Sequence, residues 1–332
     1  GQKIRITSRV TSEPIRYDRQ QGLNLLGLRI YLALFPEIHY GDEAVIEGVV
    51  EEGKLTEAVL VKVEPSKGYL EVLRRKILNI YQTSLPEPHA SLVAGITLGA
   101  KSSLPGNLWE KLKKTGTAHV VVASGMNVTI TAGFLMTFFA IFLPRRRAIP
   151  LAIAGIWLYS LISGLEAPII RAAIMGTIAF TVQELGRVAQ AWRALVYSAA
   201  IMLLIKPDWL VDVGFLLSFA ATASILLFEK RIRGFIEAKR RFKFLPQFFK
   251  QDFSVTLAAQ VGVTPILFVS FGYFNMLSPI INALILWTIP LIMVIGGIGG
   301  LVGLVIPELA RLILYLSYPL TWWFISVIEI FS

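Results

Sequence analysis

Residues 1 to 66 alternate apolar and polar positions with a period of two. Ile4 and Ile6 alternate in KIRITSRV, Leu26, Leu28, Ile30 and Leu32 in LLGLRIYL, Val45 to Val50 run through EAVIEGVV, and Leu60 to Val63 close EAVLVKV. Alternation of this kind predicts half-buried β-strands. Turn signals separate the runs at Arg19 to Gly22, at Gly41-Asp42 and at Glu52-Gly53. Several short strands with glycine-bearing turns predict a small all-β, OB-like barrel, a shape used to bind oligonucleotides and oligosaccharides. Arg16, Tyr17, Arg19, Arg29 and Tyr31 are its basic and aromatic candidates for such a ligand, and a barrel without a ligand stays equally open.

Beyond residue 66 the period changes. Residues 67 to 114 read as an amphipathic, interfacial helical connector that includes PGNLWEKLKK. From 115 to 332 long apolar runs predict a polytopic α-helical membrane domain with about eight hydrophobic segments: 117–143, 148–165, 167–185, 194–206, 211–228, 252–274, 278–305 and 310–330. Several of these are short or carry Gly and Pro, so half-membrane or re-entrant helices compete with full crossings.

Composition agrees with this division. Hydrophobic residues make up 55% of the 332 and charged residues 16%, which places the chain among membrane proteins. The formal net charge of +10 arises from 32 Lys and Arg against 22 Asp and Glu, and much of the excess lies in short segments between apolar runs. Arg145 to Arg147, Arg187 with Arg193, and the basic segment 229–250 all fall on one side, whereas Glu166, then Lys206, Asp208 and Asp212, then GYFNML occupy the other. The positive-inside rule puts the arginine-rich side in the cytoplasm and the β module outside. Lys101, Lys111, Lys113 and Lys114 are then left outside, carried by the amphipathic helix. A polybasic stretch beside membrane helices, such as 229–250, more often meets anionic lipid head groups than nucleic acid. There is no cysteine, which excludes disulfides and thiolate chemistry. The chain opens on Gly1 in mid-pattern without a charged and apolar leader, so it reads as part of a longer protein.

Polar residues inside the apolar runs carry the candidate chemistry. TGTAHVVVASGMNVTI, residues 115 to 130, places His119, Ser124, Gly125, Asn127 and Thr129 where a helix should cross the bilayer. Backbone that leaves the helix at membrane depth needs protein or a water-filled cavity beside it, while Ser, Gly and Thr also serve close helix packing. Arg171, Asp212, Gln260 and Asn282 are each single in an apolar context, several of them near Pro168, Pro207, Pro265 and Pro279. Arg171 either pairs or lines a polar route, or snorkels to the interface from its position near a helix start. Gly296, Gly297, Gly299, Gly300 and Gly303 offer small-xxx-small spacings that suit tight packing and permit a homodimer seam. Trp192, Trp209, Trp287, Trp322 and Trp323 mostly mark span ends.

Enzymatic motifs do not emerge. GITLGAKS has Ala100 where a phosphate loop requires its last glycine, and VASGM lacks the glycines of a nucleophile elbow. His39, His89 and His119 are too scattered to argue a zinc site. No catalytic residue, metal site or cofactor is expected.

Taken in order, LGAKSSLP, TGTAHVVVASGMNVTI, APIIRAAIM, KPDWLVDVGFLLSFAATASILL and QVGVTPILFVSFGYFNMLSPIINALILWTIP resemble the competence domain of the ComEC family of bacterial DNA-uptake channels. The resemblance covers nearly the whole chain and implies passage of one DNA strand across the bacterial cytoplasmic (inner) membrane during natural transformation while the other strand is degraded. Carried over by position, its motif residues are His119, Ser124, Gly125, Arg171, Asp212, Gly214, Ser218, Gln260, Pro265, Asn282 and Pro290. Asn127 stands where the family commonly has histidine, and Ala100 where it commonly has aspartate. Arg171, Asn127, Ser124 and Gln260 would line a polar path that compensates phosphates without reading sequence; Asp212 suits a structural role at an arginine or a helix amino terminus. The resemblance further implies partners: single-stranded DNA, a separate nuclease domain or protein, and a cytoplasmic helicase or translocase to pull the strand. Two rival readings are an ion or small-solute transporter, which would also break its helices at midplane, and a non-transporting membrane scaffold with an extracellular binding module.

Overall fold

The computed structural model describes residues 3–10, 14–16, 20–51, 54–122, 124–184, 190–238, 246–271 and 275–332. Among these described residues six strands come first: β1 (Lys3–Arg9), β2 (Ile15–Arg16), β3 (Gln20–Leu25), β4 (Leu28–Ala33), β5 (Glu43–Glu51) and β6 (Lys54–Glu64). Fourteen helices follow: α1 (Tyr69–Ser84), α2 (His89–Leu98), α3 (Gly106–Lys114), α4 (Ala118–Val121), α5 (Gly125–Phe142), α6 (Arg145–Ile162), α7 (Ala167–Glu184), α8 (Ala191–Ile205), α9 (Val213–Ala238), α10 (Gln247–Phe271), α11 (Ser278–Ile285), α12 (Thr288–Gly303), α13 (Pro307–Tyr315) and α14 (Tyr318–Phe331). Single 3-10 turns occupy Lys101–Ser103 and Pro207–Val211. The chain divides into two compact units. The first holds residues 1–111, 161–164 and 292–322, and the second holds 112–160, 165–291 and 323–332.

In the first unit the strands form one sheet in the order β1-β5-β6-β4-β3-β2. Neighbours pair antiparallel except β4 and β6, which run parallel at Arg29–Lys54 and Ile30–Leu55. The inward positions predicted from the alternation, among them Ile6, Ile30, Leu32 and Ile46, are buried in a common core with Leu23, Leu25 and Leu55. One register differs from the sequence reading. Leu26 does not begin a strand; with Gly27 it makes the two-residue turn between β3 and β4, at φ 53° and 82°, and is 76% exposed. A turn with two left-handed central residues matches the twist of a hairpin, and the glycine supplies the conformation most cheaply. The closed barrel is likewise not reached. β1 and β2 are the two edges of the sheet and no ladder joins them among the described residues, so this part is an open sheet. The turn at Arg19, the one at Glu52-Gly53, and Tyr17 lie outside the described residues.

The sheet is fastened to α1 through Asp42, which is 3% exposed. Its carboxylate accepts the backbone N–H of His39 (2.9 Å) and of Ser66 (3.0 Å) and faces the Arg75 guanidinium at 3.4 Å. Below α1, the glycines of α12 are consumed within the unit. A Cβ at Gly296 would meet Thr97 and Val93 of α2, one at Gly299 would meet Leu314 of α13, one at Gly300 Ile77 and Tyr81 of α1, and one at Gly303 Ile80 and Ala310. The spacing that permits a homodimer seam is therefore occupied from within the chain, with Gly297 alone in open space.

Among the described residues, three stretches are long and apolar enough to cross a membrane: Ala118–Phe142, Val213–Ala238 and Phe249–Ser270. The number rises to five if α11 with α12 and α13 with α14, bent by 46° and 47°, each count as one span. The sequence reading gave about eight. The shortfall lies in α6, which begins with three arginines, in α7, which carries Arg171, and in α8, which has only 15 residues. The basic segment also differs from a simple loop: residues 229–238 are the last turns of α9, where Arg233 sits between Glu229 (3.3 Å) and Glu237 (3.9 Å). Residues 239–245 and Arg187 lie outside the described residues.

Candidate functional site

The polar residues of the apolar runs gather in the second unit as two groups. The first forms where the span Ala118–Phe142 breaks. Val122 (φ −82°, ψ 141°) and Ser124 (φ −123°, ψ 171°) are both extended, so α4 ends after a single turn and α5 starts anew at Gly125. The Ser124 hydroxyl donates to the side-chain carbonyl of Asn127 at 3.1 Å, and Asn127 is fully buried. Thr129 returns its hydroxyl to the Gly125 carbonyl at 3.0 Å, on an exposed face.

Arg171 reaches this break from α7. It is 9% exposed, donates from Nη1 to the Ser218 carbonyl at 3.1 Å, and holds its guanidinium 5.9 Å from the Phe219 ring centroid. Its Nη2 lies so near the start of α5 that a Cβ on Gly125 would stand 2.5 Å from it. Nε is buried with no hydrogen-bond partner. The helices are held in this arrangement by apolar contacts: Val128 and Ala132 of α5 pack with Ile156 of α6 and with Ile169 and Ala173 of α7. A second cluster joins Ile174 of α7 to Met202 of α8 and Phe215 of α9, with Phe219 against it. Arg171 therefore does not snorkel to an interface; it points into packed protein.

Asp212 stands at the start of α9, where its carboxylate accepts the Phe215 N–H at 2.8 Å. That is an N-cap, which satisfies one orphan donor and complements the helix dipole. Of the two structural roles open to Asp212, the helix terminus is the one it fills. Gly214 comes two residues later, where a Cβ would stand 3.1 Å from Asp212 Oδ1.

The second group surrounds the turn after α3. Gln260 of α10 donates to the Asn275 carbonyl (3.1 Å), and the Asn275 side chain donates to the Lys114 carbonyl (2.7 Å) while accepting the Leu277 N–H (2.7 Å). Ser278 donates to the Gly116 carbonyl at 3.4 Å, and Asn282 donates to Ser278 Oγ at 3.2 Å. Gly116 has φ +72°, and a Cβ there would stand 3.0 Å from Ser278 Oγ, so both conformation and space call for glycine. Asn282 Oδ1 is buried without a partner. His119 is exposed on α4 within reach of the Gly116 backbone, and so belongs to this group rather than to the break. Pro265 and Pro290 sit inside α10 and α12.

Sequence reasoning missed Asn275, Gly116 and Ser278. Asn275 falls in a stretch that reads as an uncharged loop, and its one local signal is the Asn preference for turns. Among the described residues no cluster of three or more metal-ligating side chains occurs.

Residues 96–332 match the family described as Competence protein. The chain belongs to the competence protein family. With its apolar spans, this competence-family chain is a membrane protein. It is similar to ComE operon protein 3 of Bacillus subtilis, 26% identical over 229 residues, which are 69% of this chain and 28% of that protein. It is also similar to competence protein ComA of Neisseria gonorrhoeae, 29% identical over 144 residues, 41% of this chain and 21% of that protein. An uncharacterized protein of Escherichia coli, YcaI, is 29% identical over 164 residues, 46% of this chain and 22% of that protein. The chain thus spans less than a third of the length of these relatives. No solved structure matches it. The competence match includes all the residues of both polar groups.

Proposed function

We propose that this competence-family chain forms the membrane part of a route that carries single-stranded DNA across the bacterial cytoplasmic membrane during transformation. The observation that carries the reading is the broken span. Extended backbone at Val122 and Ser124, a buried Asn127 and the buried guanidinium of Arg171 from α7 meet within the first turns of the stretch Ala118–Phe142, which is otherwise apolar enough to cross a bilayer. Non-helical backbone and charge at membrane depth are stable only against protein or a polar path. A strand in transit needs such a path, with cations for its phosphates and no base readout.

Two further assignments accompany this. The open sheet belongs to an OB-like barrel on the outer face: its parallel β4–β6 pairing between two antiparallel hairpins, with β1 and β2 consecutive in the chain at opposite edges, supports a sheet that curls toward itself. The chain performs no catalysis of its own; a separate nuclease removes the complementary strand, a cytoplasmic helicase or translocase pulls the imported one, and anionic lipids meet the basic end of α9.

The test is transformation with labelled DNA in cells carrying the parent gene or its deletion, scoring cytoplasmic single strands separately from DNA held outside the membrane. Deletion is expected to abolish the cytoplasmic signal and leave the external one. Undiminished cytoplasmic strands in the deletion would overturn the route and favour a solute transporter.

A further inference from the structure

Arg171 and the start of α5 face one another with the same sign of charge. The amino-terminal end of an 18-residue helix carries about half a positive charge on its unsatisfied N–H groups. Ser124, its N-cap, gives no side-chain hydrogen bond to the first turn. The guanidinium adds a full charge close by, is nine-tenths buried, and forms no ion pair among the described residues. Its only direct acceptor there is the Ser218 carbonyl, and its Nε is left with none. Burying a cation without an anion is costly, and placing it on a helix amino terminus adds to the cost. The protein supplies elsewhere what is missing here: Asp212 caps α9 with a carboxylate. At α5 the corresponding anion is not part of the chain.

We propose that the start of α5 and Arg171 form a binding site for one phosphodiester group. The N–H groups of Gly125 and Met126 and the Nη2 and Nε donors of Arg171 would converge on its oxygens, as oriented backbone amides and a planar fork of donors do for phosphates. Gly125 is what makes the approach open, because any side chain at that position would meet Nη2. The site rests on the proposed route and deepens it: the ligand is a backbone phosphate of the passing single strand, engaged without reference to base identity. A membrane lipid carries the same group, and the lipid source is separated by experiment.

The full chain is purified in neutral detergent and titrated with a fluorescent oligothymidylate over a range of salt. The unsubstituted chain is expected to bind with salt-dependent affinity. Arg171→Gln should weaken binding at least roughly tenfold, the scale of a lost charge-assisted bond, and flatten the slope of log affinity against log salt by about 0.7, one phosphate on a single strand. Gly125→Ala keeps the charge and the helix and should weaken binding by a similar factor, so the proposal remains testable if Arg171→Gln does not fold. Arg171→Lys should keep the slope while losing affinity. Unchanged affinity and slope in a folded Arg171→Gln or Gly125→Ala protein would overturn the site. So would the finding that the Arg171-dependent ligand is a co-purified phospholipid which the oligonucleotide cannot displace. A site lost in this way leaves the route standing if the gene deletion still abolishes cytoplasmic strands; a deletion without effect removes the route whatever the purified chain binds.

Discussion

At the scale of single residues, the polar side chains of the membrane helices do two kinds of work. Asp212 is a cap: its carboxylate takes the Phe215 N–H at 2.8 Å. Replacing it with alanine is expected to destabilise the chain by about 1 kcal/mol, whereas Asp212→Asn, which preserves the acceptor, should stay within a few tenths. Unfolding in detergent followed by circular dichroism would measure both, and an Asn variant as damaged as the Ala variant would show that the charge rather than the cap matters. Arg171 is the other kind, a donor group whose protein partners are incomplete. The sequence made both residues conspicuous, because a lone ion in an apolar run is costly wherever it goes. It did not reveal what each one faces. Gly125 is 46 positions from Arg171 in the numbering and Ser218 is 47, separations on which local periodicity carries no information. Asn275 illustrates the opposite case: an unremarkable loop residue becomes a junction because three separate backbone and side-chain groups converge on it.

At the scale of elements, close helix approach explains the glycines better than flexibility does. The Tyr81 hydroxyl, on a fully buried ring, donates to the Gly296 carbonyl of α12 at 2.9 Å, and Gly300 makes room for it one turn later, since a Cβ there would stand 2.8 Å from both the hydroxyl and Ile77. Gly300→Ala should therefore cost about 1–3 kcal/mol through overpacking, and Tyr81→Phe about 1 kcal/mol through the lost hydrogen bond. In the double variant the two effects should be less than additive, because the phenyl ring no longer needs the hydroxyl's place. Full additivity in thermal unfolding would separate the two positions and undo this account. The glycine stripe itself was legible in the sequence; which surface it served was not, because a small-xxx-small pattern is the same whether the partner is α1 or a second copy. The β-strands were legible through their alternation, apart from Leu26, where an apolar residue in a left-handed turn continues the pattern past the end of the strand. Three of the eight segments read from the sequence, α6, α7 and α8, stand apart from the three to five apolar spans for a comparable reason. Apolar length identifies α6, α7 and α8 as candidates but does not weigh three arginines, a buried ion or a 15-residue limit against a crossing.

At the scale of the whole molecule, the distribution of charge and the absence of cysteine combine into a direct test of orientation. By the positive-inside rule the arginine-rich loops are expected on the cytoplasmic side, and the sheet is then expected outside. Leu26 at the β3–β4 turn is 76% exposed, and Arg231 near the end of α9 is exposed as well. These 332 residues hold no cysteine, so with this chain expressed by itself Leu26→Cys and Arg231→Cys each create a single thiol. A membrane-impermeant maleimide is expected to label Cys at position 26 in intact spheroplasts and to reach position 231 only after permeabilisation. The reverse pattern would place the sheet in the cytoplasm. It would also turn the basic end of α9 outward, against the proposed contact with the anionic cytoplasmic leaflet. The proposed role of the sheet on the outer face would then fall. The expected pattern would support a sheet outside and a basic end of α9 in the cytoplasm, as the proposed uptake route requires. Under the proposed route, positive charge for the phosphates comes from Arg171 and the basic end of α9 and not from the β module of residues 1–66, whose acidic residues outnumber its basic ones, and none of these groups needs to read bases.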